Sequence, residues 1–114
     1  SGTRSLDEAL AKVRDYAAAN RTARWILGRG WNQVTWNLGR FPTAADLDRA
    51  VADRPVALER VDGHATWVNT AALKAAAIGR TTKDPAGGRI ERLPGGEPAG
   101  VLVDAASALV ARVV

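Results

Sequence analysis

Residues 55–69, which read PVALERVDGHATWVN, determine the fold of the middle of this chain. Apolar and polar residues alternate over 55–61 after the opening proline, and this pattern predicts a β-strand. The Asp62-Gly63 pair then predicts a turn. Residues 64–68 predict a brief extended segment after this turn.

A helix is predicted directly after these strands. Asn69 or Thr70 can accept the free amide hydrogens of a first helical turn. Three apolar residues on one face would pack the helix, and Gly79 is a suitable C-terminal stop; the three are Leu73, Ala76 and Ala77.

Upstream, residues 5–19 carry apolar side chains at helical spacing. Ser5 and Glu8 can form a capping box at the start of this helix, and Asn20 is a plausible end. The short apolar stretch 24–29 follows and predicts a buried strand.

The next segment, residues 31–41, has little periodicity and predicts an irregular loop. A second helix should start after Thr43, with Asp46 at its third position. We expect it to end near Ala52, because Pro55 disfavours helical backbone at the residue before it.

Downstream, residues 80–98 are rich in Gly and Pro and predict a loop with a short hairpin around Ile90. The apolar stretch 100–103 precedes a last helix, marked by Ala105, Leu109 and Val113, that should run off the end of the chain. Because Val113 and Val114 offer neither cap nor polar tail, we expect residues 1–114 to be a single partial domain from a longer chain.

Composition excludes several classes of protein. The chain has 114 residues, 46% hydrophobic and 25% charged, which suits one domain with a modest core. Long apolar runs are absent, so neither a membrane span nor a signal peptide is predicted. The absence of cysteine rules out disulfides and thiolate metal sites, and it fits a cytoplasmic location. The net charge of +4 predicts a solvated surface more than a nucleic-acid surface, because acidic residues interrupt the basic ones.

The residues that could support catalysis are few. His64 is the single histidine, and with Asp62 it resembles a fragment of a metal or acid–base site, although the residues alone favour a structural or surface role. Nucleophile-elbow and phosphate-loop patterns are not found. Four tryptophans predict core anchors or the walls of a ligand pocket, and Trp31 and Trp36 lie in the irregular segment where ligand contacts tend to occur.

Blocks in a defined order resemble the YtcJ-like branch of the amidohydrolase superfamily. The longest is Arg60–Asn69 with Ala72 and Leu73 behind it. Shorter blocks stand before and after it, namely 28–33 (GRGWNQ), 41–43 (FPT), 46–48 (DLD), 54–56 (RPV), 84–90 (DPAGGRI) and 96–102 (GEPAGVL).

This resemblance implies a fold and an activity. Members of the family combine a TIM-like barrel with a small β-sandwich and hydrolyse amide or related C–N bonds with divalent metal, often zinc. The metal polarises the carbonyl and activates a bound water. The fold class expected for this chain is therefore α/β (α+β): a small lobe of three to four helices with a few short strands, excised from a TIM-barrel amidohydrolase.

The resemblance also implies roles for individual residues. The His-x-His pair of the family should lie before Ser1 and its later ligands after Val114, so we expect no metal ligands and no activity in this chain alone. His64 would contact substrate or the developing oxyanion, with Asp62 as the second catalytic candidate. The expected substrate-binding residues are Arg60, Trp31 and Asn69, with Asn69 also suited to a purely capping role.

Two other functions remain open from the sequence. The chain could be an independent module that binds a small ligand or single-stranded nucleic acid through tryptophan and arginine, with nucleic acid the less favoured partner. It could also be a structural or dimerisation lobe that packs on the remainder of its own barrel or self-associates through exposed apolar surface.

Overall fold

A computed structural model describes residues 6–31, 42–60 and 63–114, and it describes Trp31 by its backbone alone. In chain order, the elements of this part are α1 (Leu6–Ala19), β1 (Ile26–Trp31), α2 (Ala44–Asp48), β2 (Val56–Arg60), β3 (Ala65–Val68), α3 (Thr70–Ala75), β4 (Gly88–Arg92), β5 (Pro98–Asp104), a 3₁₀ turn (Ala105–Ser107) and α4 (Ala108–Ala111).

The described strands form one five-stranded sheet in the order β1-β2-β3-β5-β4. β1 and β2 run parallel, whereas the β2–β3, β3–β5 and β5–β4 pairs are antiparallel. A mixed α/β fold with short strands and helices is therefore confirmed. The origin of this lobe within a TIM barrel stays a prediction.

Helices cover both faces of the sheet. Leu58, Trp67 and Val101 are neighbours across three strands and point into the core beneath α1 and α2. Because side chains alternate along a strand, Val68 and Leu102 point to the opposite face, where they meet α3 and α4. Burial on both faces explains why β2 begins with three buried residues in a row.

The predicted first helix is confirmed as α1. Its apolar stripe is buried in the core beneath α1 and α2, and it consists of Ala9, Leu10, Val13 and Ala17. Ser5, which the sequence places in a capping box, lies outside the described residues.

The second helix has the predicted start and a different end. The Asp46 amide donates to Thr43 Oγ1 at 3.2 Å, and the Thr43 amide donates to Asp46 Oδ2 at 2.9 Å, which makes a capping box. The predicted end near Ala52 is wrong, because α2 stops at Asp48. Beyond it, the Val51 carbonyl accepts a hydrogen bond from the buried Asn69 side chain, in place of the backbone amide that Pro55 lacks.

The third helix also ends earlier than predicted. Asn69 is its N-cap, as expected, but α3 stops at Ala75 and Ala76 is the C-cap. Ala77 takes the left-handed conformation with φ 58°. Its amide donates to the Lys74 carbonyl at 3.0 Å, and the Ile78 amide donates to the Leu73 carbonyl at 2.9 Å. This is a Schellman motif, so Ala77 ends the helix in place of the predicted Gly79.

The Gly/Pro-rich segment 80–98 contains strand β4, which pairs with β5 in the hairpin expected near Ile90. The Arg92 guanidinium holds the surrounding loop, since it donates to the carbonyls of Thr82, Arg80 and Gly96.

The last helix is shorter than predicted. It opens with the 3₁₀ turn and ends at Ala111, whereas the sequence predicted continuation through Val113. Residues 111–114 are exposed, so no packing stabilises another helical turn.

Candidate functional site

The predicted site residues divide between the two ends of the sheet. Arg60 ends β2 and pairs with Trp31, the last residue of β1, after a register shift between Arg29 and Trp31. The Gly63 amide donates to the Arg60 carbonyl at 2.8 Å, and this turn leads to His64 just before β3. The backbones of Trp31, Arg60 and His64 therefore lie at the same end of the sheet. The side chain of Trp31 and all of Asp62 lie outside what the structure describes.

At this end of the sheet, the carboxyl ends of β1, β2 and β5 lie side by side. Ligands of open α/β sheets bind beyond the carboxyl ends of strands, so the position suits a functional site. Asn69 follows the last residue of β3 and therefore lies at the opposite end of this strand from His64.

His64 has a carboxylate beside it that the sequence did not suggest. Its Nδ1 lies 3.1 Å from Asp104 Oδ1, and the Asp104 amide donates to the His64 carbonyl at 2.8 Å. Both side chains are open to solvent, with 74% of the His64 side chain and 53% of the Asp104 side chain exposed. Only the antiparallel pairing of β3 with β5 brings together two residues that are 40 positions apart.

A pair of hydroxyl groups continues the polar surface along the same face. Thr66 Oγ1 donates to Ser107 Oγ at 3.0 Å, and Ser107 Oγ donates to the Leu102 carbonyl at 3.1 Å. The Ser107 hydroxyl thus uses its one proton in a hydrogen bond to a backbone carbonyl. This arrangement fastens the 3₁₀ turn to β3.

A cleft of about 310 Å³ opens next to these groups, against α4. Its apolar walls include Leu27, Ala57 and Val110, and its polar wall includes Glu59 and Thr66. Glu59 Oε1 lies 3.8 Å from the Arg29 guanidinium. The cleft therefore offers a small, open apolar space with polar groups on one side.

Asn69 is fully buried, and all four of its hydrogen-bonding positions are used within the chain. Its Oδ1 accepts from the amides of Val56 at 2.9 Å and Ala72 at 3.0 Å. Its Nδ2 donates to the carbonyls of Val51 at 2.9 Å and Arg54 at 2.8 Å. These bonds assign Asn69 a structural role and leave it no group for a substrate.

Two tryptophans can be located by their side chains. Trp67 is completely buried, and its indole Nε1 donates to the Thr43 carbonyl at 2.8 Å, as expected for a core anchor. Trp25 packs, partly buried, against the core beneath α3 and α4. Trp36, a candidate pocket residue, lies outside the described residues.

The basic side chains do not form a uniform surface. Many of the described arginines have a carboxylate oxygen within 4.0 Å, among them Arg29, Arg49, Arg54, Arg80, Arg89 and Arg92. This local pairing of charge gives no support to a nucleic-acid interface.

The metal chemistry implied by the family does not fit the residues that can be examined. Within 6–31, 42–60 and 63–114, no three His, Cys, Asp or Glu side chains gather closely enough to hold a metal ion. One histidine and no cysteine occur in the whole sequence. Structural and catalytic zinc sites need three or four protein ligands, so no step is assigned here to a metal. The described helices also include none with the length and apolarity to cross a membrane.

Comparison with known proteins identifies the family. The amidohydrolase family profile matches residues 1–113. Over 90 residues the chain is 47% identical to YtcJ of Bacillus subtilis, a provisionally assigned amidohydrolase, covering 79% of this chain and 17% of that protein. It is 43% identical over 109 residues to protein LONG AFTER FAR-RED 3 of Arabidopsis thaliana, covering 96% of this chain and 18% of the relative.

Two further similarities concern hydrolases. N-substituted formamide deformylase of Arthrobacter pascens is 33% identical over 105 residues, which cover 92% of this chain and 19% of that enzyme. The crystal structure of an uncharacterized metal-dependent hydrolase from Pyrococcus furiosus superposes with a TM-score of 0.67 at 25% identity, over 97% of this chain and 19% of that one.

The chain belongs to the amidohydrolase family, and within it the chain is similar to YtcJ, as the residue blocks predicted. It spans about a fifth of the length of the curated relatives it matches.

Proposed function

We propose that this chain is a segment of a metal-dependent hydrolase that cleaves amide or related C–N bonds, and that it supplies substrate-facing side chains. The observation that carries the proposal is the position of His64 at the end of the sheet where β1, β2 and β5 terminate, beside a small cleft. Family membership supports hydrolysis. The formamide deformylase among the relatives supports an amide-type substrate.

In this proposal, His64 forms a hydrogen bond to the substrate or stabilises the developing oxyanion. Arg60 and Asp62 orient the substrate or the imidazole, and Trp31 forms a wall of the pocket. Asn69 is omitted because its polar groups are committed to the fold.

The divalent metal of the whole enzyme, which we propose to be zinc, would be held by residues outside this chain. The remainder of the barrel would be the partner of this lobe, and the 114 residues alone would not hydrolyse substrate. We place the whole enzyme in the cytoplasm, since a chain without cysteine suits a reducing compartment.

The test compares the 114-residue chain with the whole protein that contains it, on N-substituted formamides and N-acyl amines with zinc supplied. We expect hydrolysis by the whole protein and none by the chain. In the whole protein, His64→Ala should lower kcat/KM by about 100-fold or more, the usual effect of losing a group that acts on the reacting atoms.

The matched control is Lys74→Ala, since this exposed side chain on α3 lies outside the proposed site. It should leave kcat/KM unchanged. Hydrolysis by the isolated chain would contradict the assignment of the metal ligands to other parts of the protein. Full activity of His64→Ala would overturn the role of His64.

A further inference from the structure

Asp104 lies directly across the β3–β5 ladder from His64. Ala65 pairs with Val103 and Thr66 with Leu102, so the next antiparallel pair joins His64 to Asp104. The hydrogen bond of 2.8 Å from the Asp104 amide to the His64 carbonyl extends the ladder by this step. Side chains directly opposite each other in such a ladder are in contact.

The side-chain contact between the two residues determines where the imidazole carries its proton. An ionised carboxylate can only accept hydrogen bonds, so Asp104 Oδ1, at 3.1 Å, requires a proton on His64 Nδ1. In a neutral ring, the other nitrogen, Nε2, is then unprotonated and accepts.

The Asp104 carboxylate is not explained by helix capping. Asp104 is the N-cap of the 3₁₀ turn, a position where aspartate commonly accepts from the next backbone amides, yet its side chain makes no capping hydrogen bond. The carboxylate is directed at His64 instead.

The backbone holds Asp104 in a conformation that L residues rarely adopt, with φ 50° and ψ −121°. Such a conformation persists only where the surroundings impose it. Here the Ala105 amide donates to the Gly87 carbonyl at 3.3 Å, and a Cβ at Gly88 would lie 2.3 Å from the Ala106 amide nitrogen. Close packing of β4 on the turn therefore fixes the direction of the Asp104 side chain.

We propose that Asp104 is a positioning residue that holds His64 in the Nδ1–H tautomer. This inference rests on the proposed function for its consequence, which decides between the two roles given to His64. A neutral ring held in this way presents Nε2 as an acceptor to an N–H or O–H of the substrate. It cannot donate to an oxyanion until it has taken up a proton.

The test is the tautomer of His64 in the 114-residue chain labelled with ¹⁵N-histidine. Because the sequence has one histidine, a long-range ¹H–¹⁵N correlation shows a single ring. At about pH 8.5, where an ordinary imidazole is neutral, we expect the Nδ1–H form to predominate. Asp104→Asn should shift the tautomer ratio roughly fivefold towards Nε2–H, the size expected for one partly exposed hydrogen bond.

Asp53→Asn is the matched control, because Asp53 is an exposed carboxylate before β2, at the opposite end of the sheet. It should leave the ratio unchanged. Asp104→Gly, which removes the carboxylate but tolerates the positive φ, should shift the ratio as Asp104→Asn does, and it serves if the first variant folds poorly.

A predominant Nε2–H form in the unmodified chain, or an unchanged ratio in both Asp104 variants, would overturn the proposal. The readout needs no hydrolysis. Full activity of His64→Ala, which would overturn the proposed function, is therefore distinguishable from an unchanged tautomer ratio, which would overturn the role of Asp104.

Discussion

The Arg54 guanidinium group donates to three backbone carbonyls at the end of α1 and just beyond it. Nη1 donates to the carbonyls of Asn20 at 2.8 Å and Ala23 at 3.2 Å, and Nη2 donates to the Ala17 carbonyl at 3.0 Å. Ala17 and Asn20 lie at the C-terminal end of α1, where free carbonyls and the helix dipole favour a cation. Arg54 thus holds the end of α1 against the start of β2.

We expect Arg54→Ala to lower the free energy of unfolding by about 2 kcal/mol, because three carbonyls lose a charged donor in a side chain that is only 19% exposed. Arg54→Lys should recover less than half of this loss, since one ammonium group cannot reproduce the planar fork. Urea denaturation measures both.

The matched control at this scale is Arg49→Ala. Arg49 is 62% exposed, and its charge partner among the described residues is Asp7, at 3.6 Å. Its loss should cost under about 0.5 kcal/mol. Equal effects at the two positions would show that the carbonyl contacts of Arg54 do not stabilise the fold.

At the scale of elements, the C-terminus of α3 carries a residue that is poorly suited to its backbone. Ala77 has φ 58°, a conformation that glycine adopts at little cost. The sequence pattern suggested Gly79 as the stop because glycine usually occupies this position. Instead, α3 ends where Leu73 and Ile78 are both buried in the core beneath α3 and α4.

We therefore expect Ala77→Gly to raise the free energy of unfolding by roughly 0.5–1 kcal/mol, as relief of the left-handed strain exceeds the added entropy of the unfolded chain. Ala75→Gly is the matched control, since this exposed residue has ordinary helical backbone. It should destabilise by about 1 kcal/mol. Thermal unfolding followed by circular dichroism measures both, and a destabilising Ala77→Gly would contradict the Schellman assignment.

At the scale of the whole molecule, the sheet is covered on both faces, yet some apolar side chains remain exposed. Leu27 and Val114 line the same cleft and are 49% and 56% exposed. β1, which carries Leu27, is at the edge of the sheet among the described strands. Edge strands and apolar clefts favour association with another surface.

We expect the isolated chain to self-associate as its concentration rises, and Leu27→Lys to weaken this association about tenfold, because an unpaired ammonium would be buried at the contact. Size-exclusion chromatography with light scattering measures the mass. Tyr16→Lys is the control, since Tyr16 is 50% exposed on α1, outside the cleft. A monomer at all concentrations would exclude self-association through this surface.

The sequence by itself determined the elements whose causes are local. The stripe of α1, the Thr43–Asp46 capping box, the Asn69 cap and the alternating strand at β2 all depend on residues within a few positions of each other. The family followed from ordered blocks of residues, and it is confirmed.

Only the tertiary structure decided the features that depend on distant residues. Asn69 takes the Val51 carbonyl beyond the end of α2, and Asp104 faces His64 because β3 pairs with β5. A one-residue change of register would turn the Asp104 side chain to the opposite face of the sheet. The register of β3 with β5 cannot be inferred from residue spacing in the sequence, since it results from the packing of two cores on the two faces of one sheet.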